Sequence, residues 1–185
     1  MINKHQMNYV IVDLEATCWE SDQSTEDMEI IEIGAVLLKG NTFQSFSDFD
    51  QFVKPIINPY LSDFCMQLTN ITQRQVDEAL IYKKAFQSFL VWIGEEPFKL
   101  CSWGKFDFDL FVLENKRVNI GFPENFMGHI NLKELYARAF NTKPNIGLKK
   151  ALQKQSMVFH GNPHRGIDDA RNTARIAQMI LVLDY

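Results

Sequence analysis

In "VIVDLEATCWE", Val10 to Glu20, an apolar run carries two acids, Asp13 and Glu15, where a buried strand should continue. Successive strand side chains alternate faces, so these carboxylates point the same way, about 7 Å apart along the chain. Such a pair can share a divalent cation; without one, the charges repel and lose solvation. The alternative is a strand that stops at Val12 and leaves both acids in water. A second acidic motif, "NPHRGIDDARNTARIAQMILVL", reads as a helix from about Ile167. At about 100° per residue, Ala170, Thr173, Ala174, Ile176, Ala177, Ile180 and Leu181 fall on one arc facing the core. Asp169 lies on the edge of that arc, in line with Thr173, Ile176 and Ile180. Asp168 points away beside Arg171, Asn172 and Arg175, as a first-turn acid favoured by the helix dipole. Asp169 is therefore the inward acid that needs a partner.

His164 lies five residues before Asp169, in a loop marked by Pro163 and Gly166, and can lean over the same place. A lone loop histidine can equally face solvent. His5, His129 and His160 have no comparable neighbours and receive no role. In "CSWGKFDFDLF", Gly104 ends a strand and Asp107 or Asp109 begins a helix, as ligand or as cap. Periodicity does not separate the two.

The elements that must position these groups follow from pattern and punctuation. Tyr9 to Leu14 reads as a strand apolar on both faces, and "EIIEIGAVLL", Glu29 to Leu38, as a second. "KGNT" supplies a turn into a third strand, Phe43 to Val53, although Phe46, Phe49 and Phe52 recur every three residues. Thr72 and Gln75 fit a capping box, and the apolar residues from Val76 through Ile93 predict one or two helices. "FKLCSW", Phe98 to Trp103, predicts another strand. Helices follow over Asp107 to Arg117, over Leu132 to Phe140, after Gly147, and from Ile167. Strands first and then helices around a further strand predict an α/β fold with a mixed sheet, the opening strand central.

The chain has 185 residues, 46% hydrophobic, which suits one domain over 1–185 with its motifs within about 8–183. No stretch approaches the roughly 20 apolar residues of a membrane span, and the N-terminal stretch has no secretory core. Cys18, Cys65 and Cys101 are odd in number, far apart and without zinc or redox spacing. They predict reduced thiols in a cytoplasmic protein. Net charge is −4, so any nucleic-acid binding must come from a local basic patch or from metal ions.

Taken together, D-x-E on a first strand, F-D after a later one and H-x-x-x-x-D near the C-terminus resemble the DEDDh group of 3′-to-5′ exonucleases. That group belongs to the ribonuclease H-like superfamily. The branch most resembled is that of the histone-mRNA 3′ exonuclease and its sporulation-inhibitor-like relatives. "VDLEATCWE", "EIIEIGAVLL", "FVKPIINPYLSDFCMQLTNITQRQVDEA", "SWGKFD" and "HRGIDDARNTARIA" carry the likeness over most of the chain. The resemblance implies a mixed central sheet flanked by helices. It also makes Asp13, Glu15, Asp107 and Asp169 ligands of two Mg²⁺ or Mn²⁺ ions about 3.5–4 Å apart, with His164 as general base. It settles Asp107 over Asp109 and agrees with the helical phase of Asp169.

The same resemblance implies single-stranded nucleic-acid 3′ ends as partner, RNA favoured over DNA, with nucleoside 5′-monophosphates released. Glu15, Ala16, Phe108 and His164 would meet the terminal nucleotide. Phe64 would wedge against the last bases or, alternatively, pack in the core. Lys105, Lys143, Lys149, Lys150, Lys154, Arg165 and Arg171 could form a phosphate-binding rim or a solvated face. Two alternatives to this activity are a non-catalytic RNA-binding module on the same fold and an oligoribonuclease-like enzyme for very short RNA. The histone-mRNA enzyme carries an additional N-terminal nucleic-acid-binding domain. Here the nuclease motifs begin almost at residue 1, so stem-loop specificity does not carry over from the resemblance.

Overall fold

The computed structural model describes residues 7–21 and 24–183, and His5 lies outside them. Strand β1 (Asn8–Ala16) is buried at every position except Asp13, which is half-buried. It pairs antiparallel with β2 (Ile30–Lys39), which pairs antiparallel with β3 (Ser45–Lys54). On its other side β1 runs parallel to β5 (Phe98–Ser102), and β5 parallel to β6 (Phe126–Asn131). The short β4 (Leu80–Ile81) closes the far edge, giving one six-stranded sheet in the order β4-β3-β2-β1-β5-β6. The first strand is central because both its faces are apolar, which only an interior position rewards.

Alternation along β1 sorts its side chains between two cores. Tyr9 and Ile11, with Val36 and Leu38 of β2, lie under α5 (Leu132–Ala139), α6 (Leu148–Lys154) and α7 (Gly166–Leu183). Val10, Val12 and Leu14 lie under α3 (Tyr82–Ile93) and α4 (Phe106–Arg117). The remaining helices, α1 (Asp63–Thr69) and α2 (Gln73–Asp77), follow β3. Seven α-helices thus flank the sheet among the described residues. None of the described helices is long and apolar enough to cross a membrane.

The capping box at Thr72 and Gln75 forms as read. The three phenylalanines of β3 are reconciled with a strand because their spacing is odd. Phe49 packs against Phe89 and Trp92 on one face, Phe52 meets the Arg165 guanidinium on the other, and Phe46 is exposed. Three elements escape pattern reading. Helix α1 is seven residues long and is held by the Ser62 side chain accepting from the Cys65 N–H. Strand β4 has two residues, and Gly128 at φ +102° breaks the alternation of β6.

Helix α7 sits on β2 through two glycines. A Cβ at Gly34 would land on the backbone of Gly166 and Ile167, and one at Gly166 would crowd the Asp13 carbonyl. This close approach brings the first turn of α7 to the end of β1. Gly34→Ala should therefore cost stability at or above the top of the about 1–3 kcal/mol typical of overpacking. Calorimetric unfolding should show the lowered melting temperature; an unchanged value would mean that the contact is loose.

Candidate active site

Three elements bring acids to the C-terminal ends of β1 and β5. Asp13 and Glu15 share one face of β1, as alternation requires, with a register shift just beyond Glu15 that bends the strand end. Asp169 enters from the first turn of α7. Oxygens of Asp13, Glu15 and Asp169 all lie within 4.8 Å of one another. Asp107, in the first turn of α4, is buried, and its Oδ1 accepts the Leu14 N–H at 3.0 Å. Its charge is the strongest carboxylate influence on Asp13. Asp109 instead pairs with Lys105 at the surface, which separates the two acids that periodicity left equal.

The acids raise one another's pKa. Burial first, and then the charges of Asp107, Asp169, Glu15 and Glu32, push Asp13 well above the usual carboxylate range. Burial, followed by Glu32, Asp169 and Asp107, raises Glu15 to about 8. Burial lifts Asp107 to about 6 against the opposing Leu14 N–H. Burial also raises Asp169, while the His164 N–H and the imidazole's charge pull it back. Among the described residues no lysine or arginine pairs with Asp13, Glu15 or Asp169. An all-carboxylate oxygen set without an internal counter-charge fits a hard divalent cation.

His164 lies in the loop before α7 with φ +62°, an uncommon backbone state for histidine. Its N–H donates to Asp169 Oδ2 at 2.7 Å, which fixes the loop against the acid, while its side chain is exposed. Ala16 is buried, and its carbonyl oxygen accepts from the Cys65 thiol. Phe64 is 39% exposed on α1 and belongs to none of the apolar cores. Phe108 is half-buried, stacked with Phe122 and His129.

Several readings need correction. Asn172 does not point outward: it is fully buried and clasps the His160 backbone, accepting from its N–H and donating to its carbonyl. The segment before α7 folds over that helix face, which helical phase alone cannot foresee. Asp168 is more than a dipole acid, since it accepts the Asn162 N–H and an Arg171 N–H. Part of the expected basic rim is already engaged. Arg165 binds buried Glu32, Arg171 binds Asp48 and Asp168, and Lys105 binds Asp109. Lys143, Lys149, Lys150 and Lys154 remain exposed.

Glu32 is the residue that sequence reading missed. It is wholly buried opposite Glu15 on β2, and it accepts from the Gly166 N–H at 3.0 Å and twice from Arg165 at 3.2 Å. The available signal was a charge at a core position of an otherwise apolar strand.

The chain matches the exonuclease (RNase_T) family over residues 10–177. It is 38% identical to human ERI1 exoribonuclease 2 over 198 aligned residues, covering 95% of this chain and 28% of that protein. It is 34% identical to human 3′-5′ exoribonuclease 1, covering 92% of this chain and 51% of that one. The chain thus spans about a quarter to a half of these relatives. The nuclease domain of 3′hExo, a DEDDh family member solved bound to rAMP, superposes with a TM-score of 0.87 at 33% identity. That match covers 95% of this chain and 92% of the domain. This chain belongs to the exonuclease family, and its sheet is the ribonuclease H-like one.

The raised pKa values fix a pH dependence. Between about 4.5, the ordinary value for Glu15, and about 8, its value here, the folded chain keeps a proton that the unfolded chain releases. Stability without metal should therefore fall as pH rises through that window. Thermal unfolding in chelator should show the fall, and Mn²⁺ should restore more stability at pH 8 than at pH 5. A melting temperature that rises with pH across this window would contradict an ion-free acid cluster.

Proposed function

We propose that this protein is a divalent-metal-dependent 3′-to-5′ exonuclease acting on single-stranded RNA ends in preference to DNA. The observation that carries the reading is the convergence of Asp13, Glu15 and Asp169 within 4.8 Å, with Asp107 buried and bonded to the Leu14 N–H next to Asp13. Its support from kinship is the 34–38% identity to two human exoribonucleases. The acting unit is the single sheet-and-helix body over about residues 8–183, and its compartment is the cytoplasm.

Two Mg²⁺ or Mn²⁺ ions fit the four carboxylates, and when bound they supply Lewis acidity toward the phosphodiester and its attacking water. Four carboxylates balance two dications in charge, which relieves the repulsion that raises their pKa values. Asp13, Glu15 and Asp169 would hold such an ion through their clustered oxygens, and Asp107 would contribute a fourth carboxylate. His164 takes the proton of the attacking water at a ring nitrogen, the part of a general base. Its exposed loop position, tied to Asp169 by the backbone, leaves the ring free to lean over the acids.

Glu15, Ala16 and Phe108 receive the terminal nucleotide, and exposed Phe64 offers a face for the last bases. The products are nucleoside 5′-monophosphates, the class of the rAMP bound in the related nuclease domain. The free lysines between 143 and 154 bind phosphates of the strand behind. Gripping only the last nucleotides needs no extended basic groove, in keeping with a net charge of −4.

The test is shortening of matched 5′-labelled RNA and DNA strands in Mg²⁺, in Mn²⁺ and in excess chelator. RNA should shorten from its 3′ end with either metal, and chelator should stop it. Persistence in chelator would remove the metal from the mechanism. His164→Ala should lower turnover by about 10²–10⁴-fold, the range for a general base. Asp13→Asn should abolish it, with both variants folded by circular dichroism. Phe64→Ala should raise KM for long strands and spare turnover of dinucleotides, a split that a core-packing role would not produce.

A further inference from the structure

A cleft of about 370 Å³ opens between α6 and the segment that leads into α7. Lys149 and Gln153 of α6 form one wall, and Val158, Phe159 and Pro163 line the other. Phe159 packs against the core, whereas Val158 is 73% exposed. The volume falls within the range of about 300–1,000 Å³ that holds small ligands.

The second wall is fixed in the free chain. Asn172 holds both the N–H and the carbonyl of His160, and Arg175 donates to the Val158 carbonyl oxygen at 2.7 Å. Asp168 accepts the Asn162 N–H at 2.9 Å. Gly161, at φ +89°, passes so close that a Cβ there would strike the Asp168 carboxylate. Helix α7 thus holds this loop by its backbone, and the Val158 side chain is left in water.

The cleft adjoins the acids from both walls. Pro163 precedes His164, whose N–H is bonded to Asp169. On the other side α6 begins just after Ile146, whose carbonyl oxygen accepts the Trp103 indole N–H at 3.1 Å. Trp103 directly follows β5, at the strand end that presents the acids. The lining carries one cation, Lys149, and no carboxylate. Lys149, Lys150 and Lys154 are exposed, and none of them pairs with an acid among the described residues. An apolar floor containing an aromatic ring, with an unpaired cation at its edge, is complementary to a base and its phosphate.

We propose that this cleft is a second nucleotide subsite, which takes the base of an RNA nucleotide upstream of the last two, with Lys149 on its phosphate. The inference rests on the exonuclease reading and extends it from the terminal nucleotide to the strand that follows. Phe159, Pro163 and Val158 cover the base, and the Gln153 amide meets its polar edge. Stacking accepts any base, so the subsite favours longer strands without selecting sequence.

The experiment follows release of the 3′-terminal nucleotide, with Mn²⁺, from RNA strands that each carry one abasic nucleotide at a different upstream position. A dinucleotide, too short to reach the cleft, is measured beside them. For the wild-type chain, an abasic nucleotide at the bound position should raise KM by about 5–100-fold, the range for losing one stacked base. Val158→Asp should raise KM for the intact strand in the same range and leave the dinucleotide unaffected. It should also erase the penalty at that abasic position, because both changes remove one contact. Lys149→Gln should raise KM for the strand and lower the slope of log KM against log salt by about 0.7, the share of one phosphate on a single strand. Circular dichroism checks folding; should Val158→Asp not fold, Val158→Ser removes the same apolar contact.

Unchanged KM for the intact strand in Val158→Asp overturns the subsite, as does additivity with every abasic position. Equal losses on strand and dinucleotide also overturn it. Added 5′-AMP should inhibit wild type and Val158→Asp alike; inhibition lost in the variant would assign the cleft to released product and overturn strand binding. In each of these cases dinucleotide cleavage by the wild-type chain leaves the exonuclease reading standing. A wild-type chain that shortens no RNA overturns both.

Discussion

The structure turns on one buried carboxylate. Glu32 lies at the sheet's centre with no exposed surface, and holds the Gly166 N–H and the Arg165 guanidinium. A buried charge is tolerated only when paired and hydrogen-bonded, and here its partners are Arg165, just before α7, and Gly166, its first residue. Gly34 and Gly166 remove the side chains that would keep helix and sheet apart. Seating of the last helix on the second strand follows, and with it the delivery of Asp169 to Asp13 and Glu15.

That arrangement creates an electrostatic conflict and confines it. Asp13, Glu15, Asp107 and Asp169 each sit above their ordinary pKa, with burial the largest cause in every case. The fold offsets part of this through backbone donors. Asp107 takes the Leu14 N–H, Asp169 takes the His164 N–H, and both acids lie in the first turn of a helix where the dipole favours negative charge. The repulsion left over is what a divalent cation can convert into binding energy.

Aromatic packing organises the Asp107 side of the site. Phe108, Phe122, Phe126 and His129 stack between α4 and β6, so the helix start carrying Asp107 is braced by rings. On the opposite side the ordering is polar. Asn172 and Asp168 gather the 160–162 backbone, and His164 closes the loop on Asp169. The rigid side orients an acid, and the exposed loop keeps an imidazole free.

Much of this is written locally in the chain. Alternation placed Asp13 and Glu15 on one face, helical phase distinguished Asp169 from Asp168, and Gly104 marked the turn that presents Asp107. Each depends only on neighbours within a few residues, where strand and helix geometry fix direction. Other features were illegible for the opposite reason. Glu32 and Arg165 are 133 residues apart, and Asn172 faces inward only because a distant segment covers it. The sequence by itself determined which acids point together along one strand and one helix. Only the tertiary structure decided that strand and helix meet, because that meeting depends on a buried charge and two absent side chains whose partners no local period can name.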